Sequence, residues 1–141
     1  MELLTAEDLP KLDWKPRHYV DGLDGTHFGY DKAVDPRYAI EGLAVDFVRL
    51  QSGLVIPEHY HTIGVENFVV EGGEAVFQTR RSTDEKRNEK MVKPGDMIRI
   101  NPGVLHRVIN ESSEPFYLWR HAIKLPDDSV FTEFPELFQQ V

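Results

Sequence analysis

From about residue 40 onward, apolar and polar positions alternate with a period of two, the mark of strands with one face buried. Leu43-Ala44-Val45-Asp46-Phe47-Val48-Arg49-Leu50 predicts a strand, and Gln51-Ser52-Gly53 turns it. Asn67-Phe68-Val69-Val70-Glu71 predicts another, closed by Gly72-Gly73, a dipeptide that readily takes the positive φ angles of a two-residue hairpin. The chain then runs back over Glu74 to Arg80. After a charged loop come Lys90 to Lys93, the turn Pro94-Gly95-Asp96, and the strands Met97 to Ile100, Arg107 to Asn110 and Phe116 to Ile123. Short strands at near-regular spacing, with Gly/Pro turns and no helical period between them, predict an all-β sandwich or barrel.

The ends read differently. Thr5 followed by Asp8 is a weak capping-box variant that starts a short helix, and Pro10 stops it early. From Asp21 to Pro36, glycines, aspartates and prolines predict loops around one short stretch, Thr26 to Tyr30. The tail from Phe131 to Val141 is expected to end in a helical turn. No repeat, low-complexity tract or linker divides the chain, so one domain is expected over 1–141, with a barrel core at about 40–125, an N-terminal extension at 1–39 and a tail at 126–141.

Composition narrows the function classes. The 141 residues suffice for one core and not two, and 40% hydrophobic with 28% charged is globular rather than disordered. A net charge of −8 argues against nucleic acid or an anionic membrane as partner, since phosphate neutralisation needs a basic footprint. The basic cluster Arg80-Arg81, Lys86-Arg87 and Lys90 is interleaved with Asp84, Glu85 and Glu89, which fits a solvated hairpin tip. No apolar run approaches the ~20 residues that span a bilayer. The acidic N-terminus lacks the basic region of a secretory signal. With no cysteine there are no disulfides, thiolate ligands or thiol nucleophiles, and a reducing cytoplasm is the expected location.

Candidate chemistry begins at His59-Tyr60-His61. Residues i and i+2 of a strand share a face, so the two imidazoles can aim at one point while Tyr60 faces away to pack. If Glu66 and His106 converge there too, three neutral nitrogens and one carboxylate oxygen suit a divalent first-row metal.

The residues around this pair form two spaced patterns, Gly53-x5-His59-x-His61-x4-Glu66-x6-Gly73 and Gly95-x5-Asn101-x-Gly103-x2-His106-x3-Asn110. Together they resemble the two signature motifs of the cupin superfamily over about Leu50 to Asn110. One position departs: the motif's proline falls at Asn101, with Pro102-Gly103 beside it keeping the turn. The resemblance implies a double-stranded β-helix, a jelly-roll barrel with short helical or irregular segments at its ends and a metal in its mouth. It places the ligands at His59, His61, Glu66 and His106. His59 and His61 would share one strand, Glu66 would open the adjacent antiparallel strand, and His106 would come from a neighbouring hairpin. Gly53, Gly73, Gly95 and Gly103 would supply tight turns, and Asn110 a strand-end hydrogen bond.

The ion implied is one divalent transition metal, Fe, Mn, Ni or Zn. Three histidines and a monodentate glutamate leave one or two positions open for water, O₂ or a chelating substrate. Fe(II) would favour oxygen chemistry; Mn(II), Ni(II) or Zn(II) would favour isomerisation, lyase or decarboxylation chemistry. The expected activity is that of a small metal-dependent cupin enzyme acting on a small oxygenated metabolite, as a dioxygenase or an isomerase or lyase. The alternative is a non-catalytic cupin that binds a sugar or metabolite as a sensor or binding module. An intact ligand set favours the enzyme. If the Tyr117/Trp119/His121 face of the last strand lines the barrel, His121 is a candidate catalytic proton shuttle and Trp119 a substrate wall; the opposite face pointing inward is the competing arrangement. Gln78 and Arg99 are further candidates to orient a substrate carboxylate. His18 and His27 are expected to do nothing chemical. Cupins of this size commonly pair, so a homodimer is expected, with Thr26 to Tyr30 as a strand available for exchange.

Overall fold

The computed structural model describes residues 5–35, 43–62, 64–123 and 132–133. A 3-10 helix, Ala6–Lys11, opens it, with the Thr5 N–H donating to Asp8 Oδ2 at 2.9 Å and Pro10 near its end, as the Thr5/Asp8 signal predicts. Among the described residues eleven strands follow: β1 Lys15–Asp21, β2 His27–Ala33, β3 Leu43–Leu50, β4 Val55–His61, β5 Glu66–Gly72, β6 Ala75–Arg80, β7 Asn88–Val92, β8 Met97–Ile100, β9 Leu105–Ile109, β10 Phe116–Ile123 and β11 Thr132–Glu133. The all-β jelly-roll expectation is met.

The strands hydrogen-bond in the order β7-β6-β9-β4-β2-β3-β10-β5-β8, with β1 on β2 and β11 on β4. The path bends at β2–β4, joined by a single parallel bridge between Phe28 and Val55. The two halves thus face one another. Val48, Val70, Ile100 and Leu118 from one half meet Ile56, Phe77, Val92 and Val108 from the other in a single apolar core. Phe68 and Phe77 touch across it, with ring centroids 6.0 Å apart.

A second cluster lies on the outer side of the β3–β10 pair. Phe47 and Trp119 stack there at 6.1 Å under Leu9, Leu12 and Trp14 of the N-terminal segment. Both faces of β10 are therefore covered by apolar residues. Two glycine turns and one asparagine fasten strand ends to their neighbours. Gly73 has φ 72°, and a Cβ there would run into the Pro115 carbonyl oxygen. Gly103, at φ 81°, turns its N–H onto the His61 carbonyl at 2.8 Å and so ties the turn before β9 to the end of β4. Asn110 is the expected strand-end residue: its Nδ2 donates to the carbonyls of Leu50 at 2.9 Å and Glu114 at 2.8 Å.

One strand is new and two expectations change. β1, Lys15–Asp21, precedes the region read as loops, in a stretch where no element was expected; its seven residues are all exposed and so show no alternation. The Thr26–Tyr30 stretch grows into β2, which pairs with β1, β3 and β4. In the tail, Thr132 and Glu133 pair with His61 and Tyr60 as β11; the helical turn expected elsewhere in 131–141 lies outside the described residues.

Candidate metal centre

At one end of the barrel the core gives way to polar side chains, and β4 shows how. Ile56 pairs with Val108 on β9, but the next pair is His59 with His106, so β4 spends one more residue than its partner. This bulge falls at Pro57-Glu58, where the missing proline N–H costs no ladder bond. It resets the alternation, so that Ile56, His59 and His61 all face inward while Glu58 faces out.

The bulge also orients the imidazoles. His59 Nδ1 lies 2.7 Å from the Pro57 carbonyl and His106 Nδ1 lies 2.9 Å from the Val104 carbonyl. A carbonyl can only accept, so each Nδ1 carries the proton and each Nε2 keeps its lone pair. The rings crowd together, with centroids 4.0 Å apart for His59–His106, 5.2 Å for His59–His61 and 5.4 Å for His61–His106. Burial, with His106 alongside, holds the His59 pKa well below the ordinary value, so the ring is neutral and able to ligate.

Glu66 arrives from the opposite half. It does not open a strand beside β4, as expected; β5 pairs with β10 and β8, and Glu66 reaches across the barrel. Its Oε1 meets His61 Nε2 and stands 3.4 Å from His106 Nε2, while its Oε2 accepts from Arg120 Nη1 at 3.0 Å. Burial alone would raise its pKa. His106, His61 and Arg120 together outweigh that and hold the carboxyl well below the usual range, so it is ionised.

The structure thus brings His59, His61, Glu66 and His106 together, with one ligand atom from each within 4.8 Å of the others. Donors about 2.1 Å from a shared ion sit at most about 4.2 Å apart, so the cluster is close to the span a metal needs. Glu66 Oε1 and His106 Nε2 are buried and have no hydrogen-bond partner among the described residues. Leaving such atoms unsatisfied costs about 1–3 kcal/mol each, and a divalent cation would satisfy both. The residues fit the metal.

The other predicted site residues stand elsewhere. Leu118, facing Val48 and Val70, belongs to the core, so the inward face of β10 is Phe116/Leu118/Arg120. Trp119 and His121 are corrections: they lie on the outer face, in a T-shaped contact with centroids 4.3 Å apart, and Trp119 packs under the N-terminal segment. Gln78 is also turned away. It neighbours Thr79, which pairs with His106, and bonds Glu89 and Arg107 on the outer side. Arg99 is exposed on β8, between the inward Ile98 and Ile100.

Alternation did not single out the residues that do surround the cluster. Arg120 bonds Glu66 and Asp46, and Lys32 Nζ approaches Asp46 Oδ2 at 3.2 Å. Tyr30 on β2 lies within the fields of Arg120, Asp46 and Glu66, and burial foremost pushes its pKa up, so its phenol stays protonated. The available signal was in β3: Asp46 shares a face with Val48 and Leu50, and an acid on a core face calls for a buried partner.

A family model described as the cupin domain matches residues 46–120, a span that includes all four clustered residues. No curated protein matches the sequence significantly. Among solved structures, a sugar phosphate isomerase from a cupin superfamily of Silicibacter pomeroyi superposes with TM-score 0.64 at 21% identity, covering 84% of this chain and 75% of its own. Oxalate oxidase in complex with glycolate gives TM-score 0.58 at 22% identity, over 67% of this chain. The capsular polysaccharide assembling protein CapF from Staphylococcus aureus gives 0.64 at 17%, over 87% of this chain. The chain spans 46% of the oxalate oxidase chain and 34% of CapF, so it is similar to one part of each.

Proposed function

Because the chain belongs to the cupin family, we propose that it is a metal-dependent enzyme of that family, acting on a small oxygenated metabolite at the His59/His61/Glu66/His106 centre. The observation that carries this reading is the buried Glu66 Oε1, which faces imidazole nitrogens and has no hydrogen bond of its own. A divalent cation held between that oxygen and the imidazole nitrogens would satisfy it. Bound there, a divalent transition metal would supply Lewis acidity toward an enolisable substrate or electron transfer to dioxygen.

The chain's own residues contribute orientation and charge. The Pro57 and Val104 carbonyls fix the tautomers of His59 and His106, and Arg120 fixes the rotation of Glu66. Tyr30, kept protonated, can donate a hydrogen bond to an anionic ligand in the mouth. The likeness to a sugar phosphate isomerase and to an oxalate oxidase supports a small, oxygen-rich substrate and leaves both isomerase or lyase and dioxygenase chemistry within the proposal. Action as a homodimer in the cytoplasm belongs to the same proposal, and light scattering at micromolar concentration checks the dimer.

The test is elemental analysis of the purified protein beside a His61→Ala control. One transition metal per chain in the wild type, lost in the control, is expected. A wild type that carries none and takes up none on addition would overturn the reading. Oxygen consumption under Fe(II) loading then separates dioxygenase from isomerase or lyase.

A further inference from the structure

A glutamate can offer a metal one oxygen or two, and here its surroundings choose. Glu66 Oε2 is occupied by Arg120 Nη1 at 3.0 Å, while Oε1 faces the histidines. Arg120 is itself gripped by a fork: its Nε donates to Asp46 Oδ1 at 2.8 Å and its Nη2 bonds Asp46 Oδ2. The strand register builds this chain of contacts. Arg120 lies directly opposite Asp46 of β3, and Glu66 lies opposite Ala122, two residues further along the same face of β10. Lys32 closes the far end on Asp46.

Resting on the metal reading of this centre, we propose that Arg120, oriented by Asp46, is a positioning residue that holds Glu66 as a one-oxygen ligand, and that Asp46 cancels the charge Arg120 would otherwise set beside a dication. To become bidentate, Glu66 must give up a charge-assisted bond inside the barrel, where Asp46 and Glu66 expose only 3% and 5% of their side chains. A guanidinium without a partner would repel the metal. The Arg120–Asp46 pair is neutral, so it orients the carboxylate without that repulsion. A purely structural salt bridge would make a different claim: it would stabilise the barrel and leave metal affinity and coordination alone.

The experiment titrates Co(II) into the apo full-length wild type, Arg120→Gln, Arg120→Lys and Asp46→Asn, following heat for affinity and visible absorption for coordination number. Thermal unfolding of each apo form is recorded alongside. One Co(II) is expected in the wild type. Arg120→Gln is expected to bind about tenfold or more weakly, with weaker d–d absorption as Glu66 swings both oxygens onto the ion. Arg120→Lys keeps a charge and loses the fork, so an intermediate spectrum is expected. Asp46→Asn is expected to lower affinity with little spectral change, since Arg120 still holds Oε2 but its charge is uncancelled.

A folded Arg120→Gln with wild-type affinity and spectrum would overturn the proposal and leave the metal reading standing. If Arg120→Gln does not fold, Arg120→Lys decides: wild-type affinity and spectrum there overturn it equally. A wild type that binds no Co(II) overturns the metal reading, and this proposal with it.

Discussion

Glu58 and Glu66 are both buried carboxylates, 2% and 4% exposed, from strands that flank one short loop, yet they are opposite kinds of residue. Glu58 faces outward from the β4 bulge, and both its oxygens are taken. Arg80 Nε reaches Oε2 at 2.9 Å, Arg80 Nη2 holds Oε1, and Arg87 Nε adds a second bond to Oε2 at 2.9 Å. Arg80 also donates to the Thr83 and Glu85 carbonyls, so the cluster pins the β6–β7 loop to β4. Glu66 has one oxygen satisfied by Arg120 and one facing the His61 and His106 imidazole nitrogens. Burial is common to both. What sets the carboxylate of the candidate centre apart is the oxygen left without a hydrogen bond.

The largest effects should separate the pair. Glu66→Gln keeps shape and removes the anion, and is expected to weaken metal binding by about a thousandfold, roughly 4 kcal/mol, with the apo fold retained. Inductively coupled plasma analysis with circular dichroism checks both halves; stoichiometric metal in Glu66→Gln would break the comparison. Glu58→Gln should do the reverse. It leaves Arg80 and Arg87 facing a neutral amide, and is expected to cost about 3 kcal/mol in urea unfolding while metal stoichiometry stays at wild-type level. Loss of metal without loss of stability in Glu58→Gln would show that the two clusters are not separate.

The legible and illegible parts of the sequence follow the same physics. The His59/His61/Glu66/His106 set was readable because its spacings match the two cupin motifs that the sequence resembles, and the glycine turns were readable because positive φ demands them. The face of β10 was not. Its alternation offers Phe116/Leu118/Arg120 against Tyr117/Trp119/His121, and both sets meet apolar neighbours, one inside the barrel and one under Leu9 and Trp14. Parity has no meaning when both faces are buried, and so Arg120 was passed over for His121. The partners of Glu58 were hidden for another reason: a bulge at Pro57-Glu58 breaks the alternation that would have oriented it. β1 is exposed throughout and carries no hydrophobic pattern at all.

Acid sharpens the contrast further, by a smaller amount. Burial alone would raise the Glu58 pKa, but Arg80 and Arg87 outweigh it and bring it below the ordinary 4.5. A folded-state pKa below the unfolded one means that the cluster stabilises the protein above about pH 4.5. That contribution is lost as pH falls through the lower folded value. Apo wild type should therefore lose urea stability on acidification below about pH 4.5, and Glu58→Gln, starting lower, should show a shallower fall over the same window. Parallel curves for the two proteins would mean that Glu58 is not the group being titrated.

Asp31 extends the comparison to a third buried carboxylate, and to the smallest effect. It resembles Glu58: Arg49 Nε donates to Oδ2 at 2.8 Å and the Tyr19 hydroxyl donates to Oδ1 at 2.7 Å. Arg49 also lies 4.7 Å over the Trp14 ring, so this pair ties β1 and β3 to the N-terminal segment. Burial, then the bond to Asp31, pushes the Tyr19 phenol up to about 12. A raised folded pKa places its contribution below the unfolded value near 10, with loss as pH climbs from there toward 12. Tyr19 is 47% exposed, so solvent screens much of this. Tyr19→Phe is expected to cost about 1 kcal/mol at neutral pH, to leave metal binding untouched, and to lessen the alkaline loss between about pH 10 and 12. Tyr19→Phe with wild-type stability at pH 7 would show that Arg49 alone satisfies Asp31, and that a saturated carboxylate needs fewer partners than Glu58 suggests.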